Sequence, residues 1–129
     1  IKFSQQNAEK TNFNNESFDL IVSHILLHET SRKAVSNIME ECFRLLTPNG
    51  IVIHSEVPIN NNTLDPFSAF TRDWSTHYNA EPFWGTLHDM DLNIPAKDAG
   101  FEKNNIFIDH APRETNSKMP PWLIFAAKK

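Results

Sequence analysis

The sequence predicts an α/β fold with a mostly parallel sheet whose last strand is antiparallel. The first observation is an apolar run at Phe18–Ser23, followed by an amphipathic helical stretch and a second apolar run at Ile51–His54. Such strand–helix–strand units build parallel sheets with right-handed crossovers. The second observation is that two later runs, Ile106–Asp109 and Leu123–Ala127, are joined by a proline-containing loop without a helix. These closing strands can therefore pair antiparallel.

Composition limits the class of protein and its partners. A chain of 129 residues with 40% hydrophobic content predicts one globular domain over residues 1–129. The net charge of −4 without a basic cluster disfavours nucleic acid and anionic membranes as partners. Cys42 is the single cysteine, which excludes an internal disulfide and a thiolate metal cage. No apolar run reaches membrane-spanning length and the start is not signal-like, so we expect a cytoplasmic protein.

The first strand and helix follow from local patterns. Phe18–Ser23 is nearly continuously apolar, which is typical of a strand buried on both faces. Thr30 or Ser31 can cap a helix over residues 31–46, whose apolar side chains recur at a period near 3.6. Pro48-Asn49-Gly50 is predicted to stop this helix and to form a turn before the second strand.

The later elements are a loop, two helical segments and the closing strands. Residues 58–66 read as a loop, and residues 67–90 as helical, with aromatic side chains at helical spacing. A short helix is expected over Pro95–Ala99, ended by Gly100. The predicted strand order in space is the following: Phe18–Ser23, Ile51–His54, Leu123–Ala127, Ile106–Asp109.

These elements and three motifs resemble the second half of a class I S-adenosylmethionine-dependent methyltransferase. The motifs are Phe18-Asp19-Leu20-Ile21-Val22, Arg44-Leu45-Leu46-Thr47-Pro48-Asn49-Gly50 and Ala99-Gly100-Phe101. By this resemblance the four strands correspond to the family's fourth to seventh strands, in a partial Rossmann-like sheet. The resemblance implies S-adenosylmethionine as cofactor and a small molecule as methyl acceptor. Alignment supplies much of the rate of methyl transfer, and a base would assist an oxygen acceptor.

The resemblance also assigns roles to single residues. Asn7 and Ala8 match the segment that meets the adenine in the family, where the Asn7 amide oxygen can still accept a hydrogen bond. Ser23 and His24 end the fourth strand, where the family lines the methionine portion of the cofactor. A loop residue for Asn7 and a structural histidine for His24 remain alternatives. Candidate catalytic bases are His28 and His88, for which a structural role is the alternative to a functional one.

The acceptor is expected at an insertion over residues 58–90. Candidate substrate-binding residues there are Arg72, Trp74, Tyr78 and Trp84. The alternative is a helix that packs an aromatic stripe against the sheet. No metal site is predicted, because His24 and His28 have an i, i+4 spacing without a metal-binding motif such as H-E-x-x-H.

The chain lacks the glycine-rich turn and the ribose-binding acid that the family carries on its earlier strands. Its three glycines are Gly50, Gly85 and Gly100, and they are far apart in the sequence. We therefore expect a truncated copy that is inactive alone and binds the cofactor weakly or not at all. The alternative function is a non-catalytic, oligomerising remnant of the fold. Because Phe18–Ser23 lacks its family neighbour, we expect a homodimer through the edge of this strand.

Overall fold

The structure, a computed structural model, describes residues 1–57, 66–78, 83–111 and 121–129. The strands are β1 (Phe18–His24), β2 (Leu46–Glu56), β3 (Ile106–His110) and β4 (Leu123–Lys128). The helices are α1 (Arg32–Leu45), α2 (Pro66–Tyr78), α3 (Trp84–His88) and α4 (Asn93–Ala99). Short 3₁₀ turns occur at Leu27–Glu29 and Lys103–Asn105.

The four strands form one sheet in the spatial order β1-β2-β4-β3. β1 runs parallel to β2, and β4 runs antiparallel to both of its neighbours. The predicted order and the antiparallel last strand are therefore confirmed. The parallel pair results from the α1 crossover, and β3 and β4 lie side by side as an antiparallel pair.

One face of the sheet carries the hydrophobic core. Side chains at alternate positions of β2 and β4, including Val52 and Phe125, pack with the apolar stripe of α1 and with Phe101. The Ser31 side chain caps α1 by accepting from the Ala34 N–H at 3.2 Å, as its position before the apolar stripe predicts. We call this side of the sheet the core face.

The opposite side of the sheet, which we call the open face, carries Leu20, Val22, Ile51 and Phe107. Leu20 is 55% exposed and Val22 is 62% exposed, so the prediction that this first strand is buried on both faces is wrong. The physical reason is alternation: Ile21 turns toward the core face, while its two neighbours point to the other side. Among the described elements, no helix packs over these side chains.

The start of β2 also differs from the prediction. α1 ends at Leu45 and β2 begins immediately at Leu46, so the predicted turn lies within the strand as a bulge. Phe18 pairs with Leu46, but Leu20 pairs with Ile51. Gly50 is required in this bulge because a Cβ there would lie 2.9 Å from the Thr47 carbonyl oxygen.

The segment predicted as helical over residues 67–90 contains two helices, α2 and α3. Residues 79–82 between them and residues 58–65 before them lie outside the described part of the chain. α4 confirms the short helix, begins at Asn93, and ends at Gly100, whose φ of 115° is left-handed. In the described ranges, no helix has the length and apolar character needed to cross a membrane.

Candidate active site at the carboxyl edge of the sheet

Glu56 is the last residue of β2, and its carboxylate is fully buried at the carboxyl edge of the sheet. Its Oε1 atom accepts hydrogen bonds from the backbone N–H groups of Leu26 at 2.8 Å and Leu27 at 2.6 Å. Its Oε2 atom lies 2.9 Å from Nδ1 of His28. These donors compensate the burial of a carboxylate, which is otherwise costly. Glu56 therefore fixes the turn that carries His28.

His28 is the first of the two predicted bases, and only 6% of its side chain is exposed. Its Nδ1 faces Glu56, and its Nε2 lies 3.2 Å from the Glu29 carboxylate at the surface. With Nδ1 donating to Glu56, a neutral ring presents Nε2 as an acceptor. A protonated ring can donate to both carboxylates. The arrangement can thus take up a proton at Nε2 and hold the resulting charge between two acids.

His88 is the second predicted base, and it ends α3 with a buried side chain. α3 packs against the 3₁₀ turn at Leu27–Glu29, so the elements that carry His28 and His88 are neighbours. α2 packs in turn against α3. The structure therefore brings together the segments of both candidate bases. Sequence reasoning missed Glu56, although an acid that ends a buried strand at the switch point of an α/β sheet is a recognisable signal.

Ser23, a predicted cofactor-binding residue, faces the core. Its Oγ lies 2.6 Å from Nδ1 of His54, and His54 packs against the Phe125 ring. Burial lowers the pKa of His54 to about 4, so this imidazole is neutral at physiological pH. Among the described residues, Nε2 of His54 has no hydrogen-bond partner. The Ser23 hydroxyl is thus engaged in a contact between strands.

His24 lies on the open face at the carboxyl end of β1. Its ring packs against Trp122, with 5.2 Å between the ring centroids. Trp122 precedes the antiparallel strand β4, so it lies at the same edge as the ends of β1 and β2. No motif or spacing in the sequence marks Trp122 as a site residue. Its position beside the start of the last strand becomes informative only once the sheet order is known.

Asn7 and Ala8 lie in a different place, in a turn beside α1. The Asn7 side-chain oxygen accepts from the backbone N–H of Glu9 at 3.0 Å, a contact that fits the alternative of a loop residue. Ala8 packs against the core. Together with the neighbouring residues up to Phe13, this turn forms one wall of an open groove against α1.

A charged network anchors this groove. Glu41 is buried and accepts from the Thr11 N–H at 2.7 Å and from the Thr11 hydroxyl at 2.6 Å. Its other partner is Arg44, whose guanidinium also donates to the Phe13 carbonyl at 2.9 Å. The Arg44 hydrogen bond is the largest cause that lowers the pKa of Glu41 to about 2. The network ties the loop before β1 to the helix after it.

The predicted acceptor residues lie on α2 and α3. Trp74 is 47% exposed and Tyr78 is 73% exposed, and their rings pack 5.5 Å apart on one side of α2. The side chains of Arg72 and Trp84 lie outside the described residues. The exposure of Trp74 and Tyr78 does not fit the alternative of an aromatic stripe that packs on the sheet. In the described part of the chain, no group of three or more His, Cys, Asp or Glu side chains could hold a metal ion.

The glycine positions test whether the described residues fit S-adenosylmethionine. Gly50 lies in the bulge at the start of β2, Gly85 in α3, and Gly100 at the end of α4. None of them lies at the carboxyl end of β1 or β2, the two strand ends that meet at this edge of the sheet. At these two strand ends, therefore, no glycine allows a close backbone approach.

Comparisons with known proteins identify the fold. Residues 1–54 match the family model described as a methyltransferase domain. No curated protein matches the chain by sequence. An S-adenosylmethionine-dependent methyltransferase from Methanosarcina mazei is 21% identical with a TM-score of 0.64, and the match covers 96% of this chain and 65% of that one. An O-methyltransferase family protein from Burkholderia thailandensis is 15% identical with a TM-score of 0.66, over 99% of this chain and 35% of that one.

A third similar structure contains the cofactor. Phosphoethanolamine N-methyltransferase 2 from Haemonchus contortus, in complex with S-adenosylmethionine, is 16% identical with a TM-score of 0.62. The match covers 95% of this chain and 35% of that one. The chain thus spans less than two thirds of each of these three structures. Residues 1–54 thus match the methyltransferase-domain model, and the described chain has the fold of the class I S-adenosylmethionine-dependent methyltransferases.

Proposed function

We propose that this chain supplies the acceptor side of an S-adenosylmethionine-dependent methyltransferase that acts on a small molecule. The observation that carries this proposal is the buried pair of His28 and Glu56 at the carboxyl edge of the sheet. In open α/β sheets, ligands bind beyond the carboxyl ends of the strands. A histidine held there by a buried carboxylate is a suitable general base.

The His28 base suits a methyl acceptor that reacts through a hydroxyl oxygen. Nε2 of His28 takes the proton of the hydroxyl, and the charged ring is then flanked by Glu56 and Glu29. Glu56 holds the ring orientation and is itself held by the two backbone N–H groups of the turn. S-adenosylmethionine, when bound, supplies an electrophilic methyl group. The similar structures include both an O-methyltransferase family protein and an N-methyltransferase, so the choice of an oxygen acceptor rests on the His28 base.

Residues 58–90 are proposed as the acceptor-pocket insertion, with Trp74 and Tyr78 as contacts for an apolar or planar part of the acceptor. Their exposure beside α3 supports this role, because α3 contacts the turn of His28. Arg72 and Trp84 remain candidates by sequence position alone. His88 is retained as a second candidate base, and the cytoplasm as the proposed compartment.

A second candidate function is a non-catalytic, oligomerising remnant of the same fold. It is favoured by the glycine positions, since none of the three glycines lies at the carboxyl end of β1 or β2. The two candidates differ in whether the 129-residue chain binds the cofactor at all.

A titration followed by a transfer assay separates them. We expect the chain to bind S-adenosylhomocysteine with an affinity weaker than micromolar, because charge-assisted hydrogen bonds worth about 1.5–3 kcal/mol each are missing. The inactivity expected of the chain alone follows from weak cofactor binding, so at millimolar labelled S-adenosylmethionine, which offsets that weakness, slow transfer to a panel of phenols and alcohols is expected. His28→Gln should reduce this rate by about 10²–10⁴-fold. His110→Gln, an exposed histidine at the end of β3, is the matched control and should have no effect.

Each outcome decides between the candidates. Binding without transfer to any acceptor, or equal activity in His28→Gln and the parent chain, would contradict the proposed base. No binding at millimolar cofactor favours the remnant. Micromolar binding would show that the site is more complete than the glycine positions indicate.

A further inference from the structure

Two aromatic rings meet at the carboxyl edge of the sheet, beside the candidate base. His24 ends β1 and Trp122 lies directly before β4, and their ring centroids are 5.2 Å apart. Ser55 of β2 lies between them, because it pairs with His24 on one side and with Ile124, two residues after Trp122, on the other. The short Ser55 side chain leaves room for the two rings to make contact across β2.

The backbone of Trp122 is fixed by the strands on both sides of β4. Its carbonyl oxygen accepts from the N–H of Ala111, just beyond β3, at 2.8 Å. The next residue, Leu123, pairs with Glu56 at the end of β2. The indole is therefore held at the edge of the sheet where the Glu56 carboxylate binds His28.

The turn after β1 connects the two rings to the base. The Ile25 N–H donates to the Ser55 carbonyl at 2.9 Å, and the next two N–H groups donate to the Glu56 carboxylate. This turn therefore crosses the end of β2, with His24 at its beginning and His28 after it. Ligands of open α/β sheets bind beyond such strand ends. A planar molecule there can contact the rings and present a hydroxyl to His28.

We propose that the methyl acceptor is a phenol whose ring packs against Trp122 and His24. Trp122 is then a specificity-determining residue. The inference rests on the proposed function, because it names the class of acceptor from which His28 takes the proton. Offset or edge-to-face contacts between aromatic rings add to the binding that burial alone provides, so an aromatic ring is favoured over a saturated ring of the same size.

The acidity of the hydroxyl favours the same class. The pKa of a phenol is about 10, whereas that of water, which the hydroxyl of a saturated alcohol resembles, is about 15.7. An imidazole therefore removes a phenolic proton at a much smaller cost. The phenol oxygen forms the new C–O bond to the methyl carbon, and its proton goes to Nε2 of His28. The C–S bond of the sulfonium breaks, and its electron pair stays on sulfur.

NMR of the isotope-labelled chain without cofactor tests the ring contact. Phenol is titrated, with cyclohexanol as the saturated counterpart with the same number of ring carbons. We expect phenol to shift the indole N–H signal of Trp122 saturably in the millimolar range, and cyclohexanol to bind about 2–10-fold more weakly.

Two variants extend this test. Trp122→Leu identifies the signal among the three tryptophans of the chain. Followed at the His24 amide, this variant should bind phenol about 2–10-fold more weakly than the parent chain. Phe107→Leu, which removes an exposed aromatic ring near the beginning of β3, is the control and should bind phenol as the parent does. Far-ultraviolet circular dichroism should show both variants folded.

A transfer assay at millimolar labelled S-adenosylmethionine tests the acceptor class. Transfer to phenol should exceed transfer to cyclohexanol by about 10²-fold or more. Trp122→Leu should raise the KM for phenol and leave transfer to cyclohexanol unchanged, a difference that a purely structural role of Trp122 would not produce.

The outcomes separate this inference from the function on which it rests. Equal affinities for phenol and cyclohexanol, or an unchanged phenol affinity in Trp122→Leu, would overturn the proposal. Equal transfer rates to the two alcohols would overturn the phenolic acceptor but keep the transferase function. Saturable phenol binding at Trp122 without transfer to any acceptor would support the ring contact and contradict the proposed base.

Discussion

At the scale of single residues, Glu56 is the side chain on which the candidate site depends most. Replacing it by glutamine keeps its size but removes the charge that accepts from two backbone N–H groups and from His28. Because a buried N–H donor left without its acceptor costs about 1–3 kcal/mol, we expect Glu56→Gln to lower the free energy of unfolding by at least about that amount. Chemical denaturation measures the change.

Glu29→Gln is the matched control for this variant. It removes a carboxylate from the other nitrogen of the same imidazole, but the Glu29 side chain is 55% exposed. A surface pair of this kind contributes about 0–1 kcal/mol, so its loss should be small. Equal effects of the two substitutions would mean that the burial of Glu56 does not determine the strength of its contacts.

His54 makes the stability of the fold depend on pH. Burial lowers its folded pKa to about 4, against an ordinary value of 6.5. Between these values the unfolded chain binds the proton and the folded chain does not. The neutral His54 ring therefore makes its full contribution to the free energy of unfolding above pH 6.5. This contribution is lost as the pH falls from 6.5 to about 4. The loss is about 3 kcal/mol for a shift of this size.

Urea denaturation at a series of pH values measures this loss. Glu41 acts in a lower window, since Arg44 holds its pKa near 2 and its contribution disappears as the pH falls from 4.5 toward that value. A decline between pH 6.5 and 4 should therefore be absent from His54→Phe, which cannot titrate. A flat profile in the parent chain over this range would contradict the assignment.

At the scale of elements, two glycines predict opposite effects of the same substitution. Gly100 ends α4 with a φ of 115°, and a Cβ there would lie 2.9 Å from the Phe43 ring. Gly100→Ala should therefore lower the unfolding free energy by about 1–3 kcal/mol. In Gly85→Ala, the new Cβ would lie 3.6 Å from Thr76, an ordinary contact in a helix. This control should be neutral or stabilising by up to about 1 kcal/mol, as thermal unfolding can verify.

The elements also show what local sequence can predict. α1 was predictable because its cap and its apolar period lie within one stretch of chain. The position of β1 was predicted correctly, but its burial on both faces was predicted wrongly. Leu20 and Val22 are apolar whether or not another element covers them, so the sequence does not distinguish the two cases. The start of β2 was missed because Pro48, Asn49 and Gly50 form a turn in isolation. Here pairing with β1 incorporates them into the strand as a bulge.

At the scale of the whole molecule, the order of the sheet was predictable and the site was predictable in part. His28 was identified from its place after a strand, but its partner Glu56 lies 28 residues further along the chain. Only the parallel pairing of β1 and β2 brings the two ends together. His24 and Trp122 meet for the same reason, across three strands. Contacts of this kind depend on topology, which local patterns do not contain.

The bulge at the start of β2 has a consequence for insertions and deletions. Val52, His54 and Glu56 all point to the core face, because side chains alternate between the two faces along β2. Whether the number of residues from Gly50 to Glu56 is odd or even therefore decides which face the Glu56 carboxylate reaches. Removing one residue between Gly50 and Glu56 would turn that carboxylate toward the open face, away from His28. Removing one residue from the bulge before Gly50 leaves the number of residues between Gly50 and Glu56 unchanged. The chain length of this strand is therefore as much a determinant of the candidate chemistry as the identity of the residues that carry it out.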